Sequence, residues 1–298
     1  MARSPARPRA LQWQVFLGAQ AVDHGIVTPY QLRSSAWISP LHGVYADSRL
    51  DCDHGLRCRA AALRLPAGVT FAGPSAAWLY GVEFAAGYGD PVHVIAPPGC
   101  RVSAPRGVQV HHTPLGLVEV TVRHGLRSTT PVRTAWDLAQ WLDLVEAVTA
   151  VDGLLRLRLT SRTELLERVA EQAGRRGVLR AGRVFDLVDA GAQSPAESRL
   201  RVRFIRAGLP RPVTQFPITL RSGLVVHPDL AWPEYRVAVE YDGTWHDSPD
   251  QFHFDRRRLN QLVAEGWIVF HVTSRRMREL PAVVDEVRRA LRSRGWHG

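Results

Sequence analysis

The chain has 298 residues, with 38 basic side chains against 28 acidic ones and a formal net charge of +10. Every basic residue is Arg, for the sequence contains no Lys. That excludes chemistry built on a lysine ammonium, such as a Schiff base or a P-loop phosphate contact, and leaves Arg and His as the basic functional groups. An Arg-rich balance points to phosphate-bearing partners, because the guanidinium fork matches phosphate oxygens, although GC-rich coding also raises the Arg content. A composition of 45% hydrophobic and 22% charged residues is that of a soluble globular protein, and the length suits two or three domains. Cys52, Cys58 and Cys100 fit no zinc spacing and read as reduced thiols. The apolar stretch around Val15-Phe16-Leu17 is too short for a signal peptide, and no run is long enough for a membrane span, so a cytoplasmic location is expected.

Three blocks follow along the chain. In residues 1–52, Leu11, Val15 and Phe16 have helical spacing up to Gly25, and Thr28-Pro29-Tyr30-Gln31 reads as a capping box opening a second helix over about 29–35. Trp37 to Tyr45 reads as a β-ribbon turning at His42-Gly43. Helix, turn, helix, ribbon is a winged-helix outline, whose second helix would enter the DNA major groove with Gln31, Arg33, Ser34 and Ser35.

Residues 53–192 mix strands and helices. Strands are expected at 92–95, 108–111 and 118–122, a helix opens at Thr130-Pro131, and Arg-rich helices lie between about 162 and 189. Residues 193–298 read as α-β-β-β-α-β-α. Ser194-Pro195-Ala196-Glu197 caps a helix, strands follow at 213–220, 224–232 and 236–241, a helix runs from Ser248 to Gly266, a strand covers 267–272, and a helix closes the chain. The fold class is α/β in the multi-domain α+β sense.

Within that last block Asp229 and Glu240 are carboxylates inside apolar strands, where acidic residues are depleted and costly if buried alone. A hairpin centred on Glu234-Tyr235 places them opposite each other. Two ionised carboxylates at that spacing need a cation or a shared proton between them, and Mg²⁺ or Mn²⁺ suits hard oxygen ligands. Asp242 shares Glu240's face and is a third candidate ligand. Solvent-facing edge carboxylates, or partners of structural arginines, are the alternative reading.

The motifs Pro-Ala-Glu-Ser-Arg-Leu-Arg (195–201), Pro-Asp-Leu-Ala-Trp (228–232) and Val-Glu-Tyr-Asp-Gly (239–243), with His246, Gln251, Asp255 and Arg258, resemble the restriction-endonuclease-like nucleases related to very-short-patch-repair endonucleases. The resemblance covers about a third of the chain. It implies a metal-dependent DNA endonuclease in which Asp229 and Glu240 hold the metal and polarise a phosphate through it. Glu197 would join that site, unless it serves only as the capping residue of its helix. The signature's Lys falls at 242, which is Asp here, so His246 is the candidate general acid or base; a turn histidine is the alternative. Arg256, Arg257 and Arg258 on one helix, and Arg275, Arg276 and Arg278 after the last strand, are candidate DNA contacts. Asp255 and Arg258 also have the spacing of a simple helical ion pair.

Residues 10–50 resemble the winged-helix domain of AbiEi-type antitoxins, through Gly25-Ile26-Val27-Thr28, Gln31-Leu32 and Gly43-Val44-Tyr45. The middle block resembles the domain that follows it there, through Gly73-Pro74-Ser75-Ala76-Ala77 and Thr129-Thr130-Pro131-Val132-Arg133-Thr134 with Asp137-Leu138-Ala139. This implies DNA as a partner, with a second copy of the chain or a toxin as further candidates. A competing function is a non-catalytic, antitoxin-like transcriptional regulator carrying a degenerate nuclease fold. Arg133 and Asp137 read structurally as a helical i, i+4 pair worth a few tenths of a kcal/mol.

Overall fold

A computed structural model describes residues 6–242 and 261–298. The protein is a multi-domain α+β chain that divides into two units, Met1–Leu142 with Leu159–Gly182, and Asp143–Arg158 with Arg183–Gly298. Residues 143–158 thus group with the C-terminal residues, although they lie inside the middle sequence block. Among the described residues no helix is long and apolar enough to cross a membrane.

The first unit opens with β1 (Val15–Leu17) and α1 (Gly18–Asp23), followed by a single 3-10 turn at Gln31–Arg33, then β2 (Trp37–Leu41) and β3 (Val44–Asp47). The strands form an antiparallel sheet in the order β1-β3-β2, with Gly43 in the left-handed region at the expected turn (φ 77°). The first expected helix forms only in its second half, as α1, ending before the left-handed Gly25 (φ 64°), and the second expected helix is absent. Leu11 and Phe16 do meet in one core with Ala21, Leu32 and Trp37. They reach it through a 3-10 turn, a left-handed Trp13 (φ 59°) and a strand paired to β3, not along one helix. The capping box at Thr28 does form: the Thr28 N–H donates to Gln31 Oε1 at 2.7 Å and the Gln31 N–H donates to Thr28 Oγ1 at 3.3 Å. It starts only one 3-10 turn.

The rest of this unit contains α2 (His54–Ala62), β4 (Thr70–Phe71), α3 (Gly73–Leu79), β5 (Val92–Ile95), β6 (Val108–His111), β7 (Val120–Arg123), β8 (Leu126–Thr129), α4 (Pro131–Trp141) and α6 (Arg162–Glu171). The five strands lie in the order β6-β5-β4-β8-β7, with β5/β6 and β4/β8 parallel. Gly73 opens α3 beneath Trp141, where a Cβ would meet the indole at 2.5 Å. Two polar networks are buried here. Arg133 binds Asp137 at 3.0 Å and Glu119 at 2.9 Å, and Glu119 also receives Arg168. The expected i, i+4 pair of Arg133 and Asp137 forms, but with Arg133 4% and Asp137 2% exposed it is part of a buried charge network.

The second network joins His54, Ser75, His93 and His111. His54 Nδ1 lies 3.0 Å from the Gly87 carbonyl, which can only accept, so Nε2 accepts from the Ser75 hydroxyl at 2.8 Å. His93 Nδ1 meets His111 Nε2 at 3.0 Å, and His111 stacks on Trp141 with ring centroids 3.5 Å apart. Burial pushes both His93 and His111 down from 6.5 to about 4. Their folded pKa values are depressed, so the stability they contribute is present above 6.5 and is lost as pH falls toward 4. Denaturant titrations between those pH values should show stability declining on acidification, and less steeply in a His93→Gln/His111→Gln variant. An unchanged slope in that variant contradicts the assignment.

The second unit contains α5 (Leu144–Arg156), the end of α7 (Val178–Leu187), α8 (Pro195–Arg206), β9 (Val213–Thr214), β10 (Ile218–Thr219), β11 (Val225–Val226), β12 (Leu230–Trp232), β13 (Val237–Asp242), β14 (Ile268–Thr273) and α9 (Leu280–Ser293). Its main sheet runs β14-β13-β12-β9, with β13 and β14 parallel and the other pairs antiparallel. The two long strands expected at 213–220 and 224–232 are each broken into two, and the middle pieces β10 and β11 form a separate hairpin. One sheet face (Leu230, Trp232, Val237, Val239) packs on Leu200 and Phe204 of α8 and on Val283 and Val287 of α9. Ala231 and Ala238, of the other face, share a core with Leu262 and Trp267.

Candidate functional site

The β12/β13 register pairs Leu230 with Val239, Ala231 with Ala238 and Trp232 with Val237. Continued one residue past β12, it sets Asp229 opposite Glu240, as the hairpin centred on Glu234-Tyr235 requires. Alternation places both side chains on the face of Ala231 and Ala238, away from α8 and α9. Glu240 is buried at 8% exposure and Asp229 is half-buried. Asp229 Oδ2 accepts the Tyr241 N–H at 2.7 Å, tying the carboxylate to the neighbouring strand.

Glu197 arrives from the first turn of α8. The Ser194 hydroxyl caps that turn, accepting the Glu197 N–H at 3.2 Å, and Pro195 occupies its first position. The Glu197 carboxylate, 5% exposed, accepts the Gln193 N–H at 2.8 Å. Burial raises the Glu197 pKa, and the nearby Asp229 charge raises it further. Gln215 links these two acids: its Nε2 donates to Asp229 Oδ1 at 3.2 Å and to Glu197 Oε2 at 3.4 Å. Glu197, Asp229 and Glu240 are therefore brought to one end of the sheet.

Asp242 has a different partner. Its Oδ2 binds His271 Nδ1 at 2.9 Å, and His271 lies on β14 beside Glu240 in the parallel register. A carboxylate acceptor selects the tautomer with the proton on Nδ1. Among the described residues no three His, Cys, Asp or Glu side chains are already grouped to hold one metal ion. His246 and the Arg256, Arg257 and Arg258 cluster lie outside the described residues, as do Gln251, His253 and Asp255. In the first unit Gln31 and Arg33 sit on the 3-10 turn, both exposed, with Gln31 engaged in the Thr28 capping box.

Sequence reasoning missed Gln215 and His271. Gln215 lies in the break between β9 and β10 and has a left-handed backbone (φ 50°) that no local motif announces. His271 follows three apolar residues of a half-buried strand, and only the pairing of β14 with β13 shows that it faces the carboxylate end.

Residues 67–187 match the AbiEi antitoxin C-terminal domain, in accord with the antitoxin-like motifs of the middle block. No solved structure gives a significant match. Two relatives from Mycobacterium tuberculosis, the uncharacterized protein Rv2248 of strain H37Rv and the uncharacterized protein MT2308 of strain CDC 1551, are each 33% identical over 263 residues, covering 87% of this chain and 90% of theirs. At that identity and coverage the chain belongs to the same family as these two mycobacterial proteins, with an AbiEi antitoxin C-terminal domain match in its middle.

Proposed function

We propose that the second unit is a divalent-metal phosphodiesterase and that the chain is a DNA endonuclease with an antitoxin-like first unit. The observation that carries this reading is the buried Glu240 opposite Asp229, with Glu197 delivered to the same place by α8. Clustered carboxylates repel unless a cation joins them. The donor set is all hard oxygen with no thiol, which fits Mg²⁺ or Mn²⁺ and not a soft metal. Asp229 and Glu240 would hold the ion and Glu197 would complete the set, while Asp242 is committed to His271. Bound there, the ion would polarise a scissile phosphate and activate water.

The chain's own groups supply the rest. The Tyr241 N–H fixes Asp229, and Asp242 fixes His271 with its proton on Nδ1, giving an oriented imidazole for proton transfer in a chain that has no Lys. DNA is the proposed partner, with the exposed Arg33 as the proposed contact in the first unit, since Gln31 is held by the Thr28 capping box. A second copy of the chain or a toxin is a further proposed partner. The test is purified full chain with Mg²⁺ or Mn²⁺ on supercoiled plasmid, single-stranded, mismatched and RNA substrates. Metal-dependent nicking of duplex DNA that EDTA stops is expected; no turnover on any substrate contradicts the reading.

A second reading is a non-catalytic, DNA-binding, antitoxin-like regulator. The match over residues 67–187, and Asp242 standing where the resembled nucleases carry Lys, favour it. It requires sequence-selective duplex binding that is unaffected by chelator and accompanied by no cleavage.

A further inference from the structure

Gln215 stands out among the residues around the carboxylates. It is one of five non-glycine residues with positive φ among the described residues, at +50°, a region that L side chains other than Asn and Asp rarely enter. Its backbone is fixed on both sides: the N–H donates to the Asp229 carbonyl at 3.2 Å and the carbonyl accepts from His227 Nδ1 at 3.1 Å. Held this way, the side chain reaches the gap between Glu197 and Asp229. Carboxylate oxygens only accept, so the amide nitrogen is the atom that faces them, and each of its two hydrogens has a carboxylate to meet. A glycine would take this backbone without strain but would leave the two acids with no donor between them.

We propose that Gln215 is a positioning residue that closes the carboxylate site, its amide taking the place of a cation between Glu197 and Asp229. The assignment rests on the metal-site reading given above. In the closed arrangement Asp229 Oδ1 is held by Gln215 and Oδ2 by Tyr241, while Glu197 Oε2 is held by Gln193 and Gln215. Before Glu197 can join Asp229 and Glu240 around a divalent ion, the amide must turn away and give up both bonds. The bonds are long, at 3.2 and 3.4 Å, so an ion can displace them.

Isothermal titration of the full chain with Mn²⁺, which reads binding and not turnover, tests this. Gln215→Gly keeps the left-handed backbone and removes the amide. Gln215→Asn tolerates the same backbone but is one methylene too short to reach both acids. Each is expected to bind Mn²⁺ about five- to thirtyfold more tightly than wild type, the combined size of the two weak hydrogen bonds that no longer have to be broken. Asp229→Asn serves as the site control and should abolish binding. Binding lost in Asp229→Asn but equal or weaker in both Gln215 variants overturns the Gln215 assignment alone. Absence of Mn²⁺ binding in wild type and variants alike, or binding that survives Asp229→Asn, overturns the metal site and this assignment with it.

Discussion

Replacing Asp229 by Ala is expected to reduce metal-dependent DNA cleavage by at least about a hundredfold, since loss of even the outer partners of a metal ligand costs 10–100-fold. The side chain is half-buried and engaged by its described neighbours. It faces Glu240 across the β12/β13 register, accepts the Tyr241 N–H and receives the Gln215 amide. Truncation therefore removes a proposed ligand and also leaves a strand N–H without its carboxylate acceptor. The second effect costs about 1–3 kcal/mol if water cannot replace the acceptor. Asp229→Asn separates the two, because it keeps a side-chain oxygen for Tyr241 while removing the charge that a cation needs. Plasmid nicking followed by gel, with a denaturant titration of each variant, makes the comparison. Loss of cleavage in a well-folded Asp229→Asn supports the assignment; cleavage persisting in both variants contradicts it.

The largest effect on stability should come from Asp152, far along the sequence from the carboxylates. This residue of α5 is 2% exposed and binds Arg201 of α8, itself 0% exposed, at 2.6 Å. It also accepts the Ser198 hydroxyl at 2.7 Å and the Asp189 N–H at 2.8 Å, while Arg201 donates in addition to the Leu187 carbonyl. Asp152→Ala leaves a fully buried guanidinium without its counter-charge and two donors without an acceptor, a loss of about 3–5 kcal/mol. An Asp152→Leu/Arg201→Met pair removes both charges together and should recover much of that loss. Urea denaturation of the single and paired variants measures it. A loss under about 1 kcal/mol for Asp152→Ala would mean that water reaches the pair.

These two effects differ in how far the sequence announces them. The Asp229/Glu240 pairing was legible because a hairpin turn of fixed length sets the register, and alternation then sets the face. The closing α9, the cap at Ser194 and strands β5, β6, β13 and β14 were legible for similar local reasons. The Asp152–Arg201 pair was not, because the two residues are 49 apart and each sits in a helix whose polar positions read as solvent-facing. The N-terminal segment shows local spacing overridden by tertiary pairing. Leu11, Val15 and Phe16 are spaced for a helix, yet Val15–Leu17 gains a ladder with Val44–Ala46 and the helical period gives way at Trp13. At Gln31 the capping box formed as its residues dictate, but one 3-10 turn was enough to carry Leu32 into the core. Gln215 and His271 acquire meaning only through contacts with distant strands.

In the proposed site Asp229 and Glu240 share a divalent cation. The most direct measurement is the anomalous scattering of Mn²⁺ soaked into crystals of the full chain. A peak bounded by the Asp229 and Glu240 carboxylates is expected, with the Gln215 amide turned away from Glu197. A difference map with no peak between these two acids at saturating Mn²⁺, and Gln215 still bridging Glu197 and Asp229, would contradict it.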